Sequence, residues 1–295
     1  MIKYFHRISL AVFIISLLYN PLIFSQDSTN HTFEFLPSGL NFQSIKANFQ
    51  EAKVGVFYFP SDANLKLDLG NSIDLLSFKY PNNQLHLTFG IDFFAYALST
   101  SFAGNRLQID ALDGLFGGNA TLSKRYNRDR LIFRFRILHN SAHLVDGHFN
   151  QNADEWINNQ KPIPFTKDFG ELLTAYEMNF NFILLRYYGG LSYATLVRPA
   201  SLKRWNFLGG TELVFPSLIE KVFNNPANLF ASYHLLLNGE NKYRGNSDFM
   251  LGIKFGDWYK KGIMFYAEYY SGQRRFDEYF REKVEEFGLG FYVDF

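Results

Sequence analysis

From Leu85 to Ala97 the chain alternates with a period of two. Leu85, Leu87, Phe89, Ile91, Phe93, Ala95 and Ala97 share one face, and His86, Thr88, Gly90 and Asp92 share the other. Helical spacing does not produce this pattern, so the segment is a strand with one apolar face. The same alternation recurs in Leu131, Phe133, Phe135 and Ile137, in Tyr176 through Phe182, and in Trp205 through Phe215. It returns in Leu229 through Leu237, Phe249 through Phe255, Ile263 through Tyr269 and Phe287 through Phe295. Weaker versions lie near 50–59, 64–79, 107–123 and 185–196. The sum is about twelve strands, within a range of about 10–14, and an all-β chain.

Strands this long, apolar on one face, need something apolar to face. Apart from the amino terminus, no segment reaches 18 consecutive apolar residues without charge, so no helix of the remaining chain can cross a bilayer. A closed antiparallel barrel is the remaining spanning form, because closure satisfies every backbone group. The aromatic load supports it: 34 Phe and 18 Tyr suit a lipid-facing band and its flanking girdles. The last alternating run, ending on Phe295, resembles the C-terminal strand of bacterial outer-membrane barrels.

The amino terminus has the layout of a secretory signal peptide: Lys3 and Arg7, an apolar run from Ile8 to Leu18, then Asn20-Pro21. Cleavage is expected near Ser25. The expected organisation is a signal peptide over 1–25, a periplasmic leader over 26–49 and one transmembrane barrel over 50–295, in the outer membrane of a Gram-negative type of cell. With no cysteine there is no disulfide framework or thiolate chemistry, and a net charge of +1 shows no bias toward nucleic acid. No phosphate-cradling glycine loop, dinucleotide fingerprint or zinc-ligand spacing is present, so no cofactor or metal is expected from motifs.

Placing both termini in the periplasm makes the strand over 130–141 the fifth, running outward. The connection 143–170 is then external and those near 81–83, 127–129 and 257–262 are periplasmic, as is 216–228, which is long for such a turn. Asp92, Arg134, Arg136, Glu177, Glu212, Lys254, Glu268, Glu286 and Asp294 fall on the lumen-facing parity. In a barrel of about twelve strands they are expected to pair with one another rather than line a pore.

The site-like stretch is 139–148, which carries three of the seven histidines. Counting in twos from Leu131 puts His139 and Ser141 together on the lipid-facing row, with Cβ atoms about 7 Å apart, at the outer end of the strand. A serine hydroxyl needs a base within reach to act as a nucleophile. His139-x-Ser141 is similar to the H-x-S element of outer-membrane phospholipase A and of lipid A 3-O-deacylase. That resemblance implies Ser141 as nucleophile, His139 as base, an orienting residue on a neighbouring strand and, for a lipid hydrolase, calcium. The phospholipase pattern continues with Asn-Gly where this chain has Ala142-His143, and no orienting residue can be assigned on the lipid-facing parity of the sixth strand.

A broader resemblance is to an uncharacterised family of bacterial barrel proteins with the pattern H-x-S-S-H-L-G-D. It is matched at His139, Ser141, His143, Leu144 and Asp146, with departures at Ala142 and Val145, and it extends to the leader from Leu36-Pro37 to Lys53. It implies the fold and no activity. The blander reading of 139–148 is a polar strand end whose histidines meet lipopolysaccharide phosphates, and a metal site from His143, Asp146 and His148 matches no specific spacing.

The expected function is thus that of an envelope or lipid-interacting barrel, with outer-membrane lipids and lipopolysaccharide as partners. A lipid acyl-hydrolase using His139 and Ser141, with His143 and Asp146 as weaker candidates, is the alternative, and a small-solute channel a further one. The sequence does not set the oligomeric state.

Overall fold

The computed structural model describes residues 31–294, apart from 82–83, 103–104 and 223. Phe295 and the expected signal peptide lie outside the described residues. Twelve strands hydrogen-bond in sequence order into a closed antiparallel barrel. A thirteenth, β1 (Thr32–Phe35), adds to the free lower edge of β3. The wall consists of β2 (Val54–Phe59), β3 (Asn64–Tyr80), β4 (Leu85–Phe102), β5 (Asn105–Tyr126) and β6 (Asp129–Leu144). A two-stranded ribbon, β7 (Phe149–Asn150) with β8 (Glu155–Trp156), decorates the next loop.

The wall continues with β9 (Phe165–Asn179), β10 (Leu184–Arg198), β11 (Trp205–Val222) and β12 (Asn225–Gly239). It ends with β13 (Tyr243–Phe255), β14 (Gly262–Gln273) and β15 (Lys283–Asp294), which closes on β2 from Leu289↔Tyr58 to Val293↔Val54.

Alternation sorts the side chains as expected. Phe89, Ile91, Phe93, Phe133, Phe135 and Ile137 stand exposed on the outer face, Ile137 at 62% and Phe93 at 69%. The nine charges expected inside do point inward, and seven of them are buried. One end carries short turns: Asn127 and Asn224 take left-handed φ values in the two-residue connections after β5 and β11. The long connections, 145–164 and 274–282, lie at the other end.

Two boundaries differ from the sequence reading. The connection over 216–228 is mostly strand: β11 runs on to Val222, with a register irregularity between Phe215 and Ile219. A bulge is where a strand tolerates Pro216. The loop after β6 is likewise shorter than 143–170, because β9 begins at Phe165 and Phe180 and Phe182 fall in the turn that follows it.

The expected leader, 26–49, is the larger departure, because from residue 41 to 53 most of the chain runs inside the barrel. Leu36, at φ 52°, turns away from β1 after its N–H donates to the Leu75 carbonyl at 2.9 Å. Phe42 and Ile45 then pack among Ile132, Leu173, Ala175, Tyr188, Leu208 and Leu236 in the lumen. Ala47 joins a second apolar cluster with Phe57, Phe94 and Tyr96, extending to Phe276, Tyr279 and Phe280 of the 274–282 loop. Wall charges find partners in this plug: Arg134 donates to Glu51 Oε2 at 2.9 Å and stacks 4.1 Å from the Phe42 ring centroid. Arg186 donates to the carbonyls of Gln43 and Ser44, Glu212 accepts from the Lys46 N–H at 2.6 Å, and the Lys46 ammonium reaches Asp294 at 3.1 Å.

Candidate functional site

The outer rim of β6 carries the sequence candidates. His139, Ser141 and His143 share the outward parity, between inward Leu138, Asn140, Ala142 and Leu144. The register sets their neighbours: Phe116 of β5 and Asp168 of β9 flank His139, and Gly114 and Thr166 flank Ser141.

His139 Nδ1 lies 2.6 Å from Asp168 Oδ1, and its ring lies 4.9 Å from that of Phe116. Asp168 is 48% exposed and the imidazole 34%, so the pair sits at the surface. A carboxylate on Nδ1 fixes the tautomer that leaves Nε2 free. Beside Ser141, Gly114 leaves open space: a Cβ built there meets no atom within 4 Å. The resting structure has no hydrogen bond between His139 and Ser141.

Asp168 stands where an orienting partner of His139 would stand, in a stretch that the sequence pattern leaves within the 143–170 connection. Its signal was hidden because Phe165 and Phe169 point inward, where the capping loops make the lumen mouth apolar. The inner row of β9 therefore carries the aromatic residues that elsewhere mark the outer face.

The remaining candidates disperse. His143 is exposed one alternation beyond Ser141, and Asp146 is exposed in a short turn after the strand. His148 is buried, with Nδ1 2.8 Å from Asp110 Oδ2 and the Tyr279 hydroxyl 3.1 Å away. These three residues therefore do not converge on a common point, and among the described residues no group of three His, Cys, Asp or Glu could hold a metal.

The loops at this end close over the lumen. Asn140, on the inner side of β6, donates to Asp277 Oδ2 at 2.7 Å, and the Asp277 N–H donates to Asp113 at 2.8 Å. Burial raises the Asp277 carboxyl above the usual range, against the pull of Lys167 and Asn140. Arg275 reaches down to Asp248 at 3.5 Å and to Glu268.

Residues 108–295, which include this rim, match the profile of a family described as "Protein of unknown function (DUF1207)". The chain belongs to the DUF1207 family. No curated protein matches its sequence. Among solved structures, this DUF1207 chain is similar to the β domain of the Bordetella autotransporter BrkA, at 12% identity and a TM-score of 0.41, covering 82% of this chain and 96% of that one. It is similar to LpxR from Salmonella typhimurium at 10% identity and 0.38, covering 79% and 88%. It is also similar to OmpT of Vibrio cholerae at 10% identity and 0.35, covering 92% and 99%.

Proposed function

We propose that this DUF1207 protein is an outer-membrane β-barrel, exported with removal of residues 1–25, that works at the lipid interface rather than as an open pore. The carrying observation is a lumen filled from residue 41 to residue 53 behind a wall whose outer face is apolar and aromatic. So large an exposed apolar surface needs a membrane around it. With the short-turn end in the periplasm, the rim of β6 lies at the outer leaflet, where lipids and lipopolysaccharide are its partners. Planar bilayers containing the full chain should show no conductance above a protein-free membrane; a steady open channel overturns the sealed-barrel reading.

A second reading, acyl-ester hydrolysis, is favoured by the His139–Asp168 pair beside Ser141. Asp168 holds the imidazole, and the acyl step requires Ser141 Oγ to come within hydrogen-bond reach of Nε2. Ser141 Oγ attacks the ester carbonyl and its proton passes to His139. The imidazolium returns that proton to the departing alcohol, and water activated by the same histidine releases the fatty acid from the acyl-enzyme. The donor set beside Ser141 does not fit calcium, since Asp168 is committed to His139, so no step is routed through it.

Purified protein incubated with phospholipid and lipid A, with and without calcium, should release fatty acid. Ser141→Ala should abolish release, and His139→Ala should lower it by about 10²-fold or more. If Ser141→Ala turns over lipid as fast as the parent, the hydrolase reading fails while the barrel reading stands.

A further inference from the structure

At the short-turn end, away from the β6 rim, the plug and wall enclose a cavity of about 460 Å³. Three arginines converge on it, namely Arg125 at the end of β5, Arg128 in the following turn and Arg130 at the start of β6. Arg125 and Arg130 are directly opposite in the β5–β6 register, and both lie on the inward parity. Like charges facing each other across strands are destabilising, so the pairing calls for a compensating anion.

The protein supplies little of one. Among the described residues Glu177 is the one carboxylate lining the cavity, and it is shared: Arg130 lies 3.8 Å from one of its oxygens and Arg186 3.8 Å from the other. Arg130 is otherwise anchored, donating to the Asn41 carbonyl at 2.5 Å, to Asn41 Oδ1 and to Ser123 Oγ at 3.1 Å. Arg128 has a neutral partner, Asn181 Oδ1 at 2.5 Å. The Arg125 guanidinium, exposed at the cavity mouth, has no hydrogen-bond or ion-pair partner among the described residues.

We infer that this mouth is a binding site for a compact phosphate-bearing anion. Three guanidiniums against one carboxylate leave an excess of two positive charges, which a phosphate dianion neutralises and a carboxylate does not. The planar forks of Arg125 and Arg128 can each take two phosphate oxygens, with Arg130 as the fixed back wall. The cavity has room for a small ester beyond the phosphate, and Tyr259, in the connection between β13 and β14, completes its lining. The ligand enters from the side of the short turns, so it is distinct from any substrate of the outer rim.

The test is calorimetric titration of the full-length, detergent-folded protein with inorganic phosphate and pyrophosphate at constant ionic strength, with acetate as control. Saturable binding of pyrophosphate and phosphate but not acetate is expected, weakened about tenfold or more in each of Arg125→Gln and Arg128→Gln. Because Arg125 has no structural partner and faces Arg130, Arg125→Gln should not lower the parent's melting temperature in the absence of anion. Phosphatidate in mixed micelles distinguishes the source: displacement of bound phosphate identifies a lipid headgroup, and lack of displacement a soluble ester. Absence of saturable heat, equal affinity for acetate, or unchanged affinity in both variants overturns the proposal.

Discussion

At the scale of single residues, the reactive-looking groups on the β6 rim are organised by parity and register. His139 and Ser141 were legible as outward residues because the run from Leu131 to Ile137 alternates cleanly. Asp168 was not, because in β9 the aromatic residues change sides. If His139 acts as a base, Asp168→Asn should preserve the fold and lower fatty-acid release by about 10²-fold. The loss should fall on kcat rather than KM, since a group that orients the base acts on the chemical step. An unchanged kcat would show that Asp168 does not orient the base.

At the scale of elements, the plug is the part that alternation could not reveal. Residues 41–49 read as part of a polar periplasmic leader and 50–53 as the start of a strand, yet Lys46 and Glu51 are buried among opposite charges of the wall. Burial alone would raise the Glu51 carboxyl, but Arg134 and Arg136 outweigh it and hold it down to about 2. A carboxylate held below its unfolded value of 4.5 contributes stability that is complete above that pH. The contribution is lost as pH falls toward 2. Plug docking, followed by protease access to residues 36–53, should therefore weaken between these values. Glu51→Gln should cost about 3 kcal/mol at neutral pH, because it leaves two buried guanidiniums with Glu171 as the one carboxylate to share, and should flatten the acid dependence. Melting temperatures of the two proteins across that pH window provide the check.

At the scale of the whole molecule, strand number, the chain order of the wall and the inward placement of charge all followed from a period-two pattern and the need for closure. What fills the lumen did not, because sequence alternation reports which side a residue faces and not what lies on that side. Arg134 and Arg136 pair across the wall with Glu171, and Glu212 with Arg186, as the inward parity implies; what the pattern does not reveal is that the plug adds Glu51 and the Lys46 N–H to these pairs. A chain beginning at Lys53 lacks that filling, so in planar bilayers it should conduct ions where the full chain does not. A truncated barrel that folds and remains silent would mean that the capping loops alone close the passage.

The seam between β2 and β15 carries a consequence for assembly. It joins the first wall strand to the last, so the cylinder cannot close until β15 has been made. Until then β2 and β15 present unsatisfied edges, and the plug is tethered directly to one of them. The Lys46–Asp294 ion pair joins the filling to the closing strand, so it cannot form before β15 is in place. A chaperone that holds the nascent protein must therefore shield two distant edges at once, and an isolated amino- or carboxyl-terminal half has no partner with which to close.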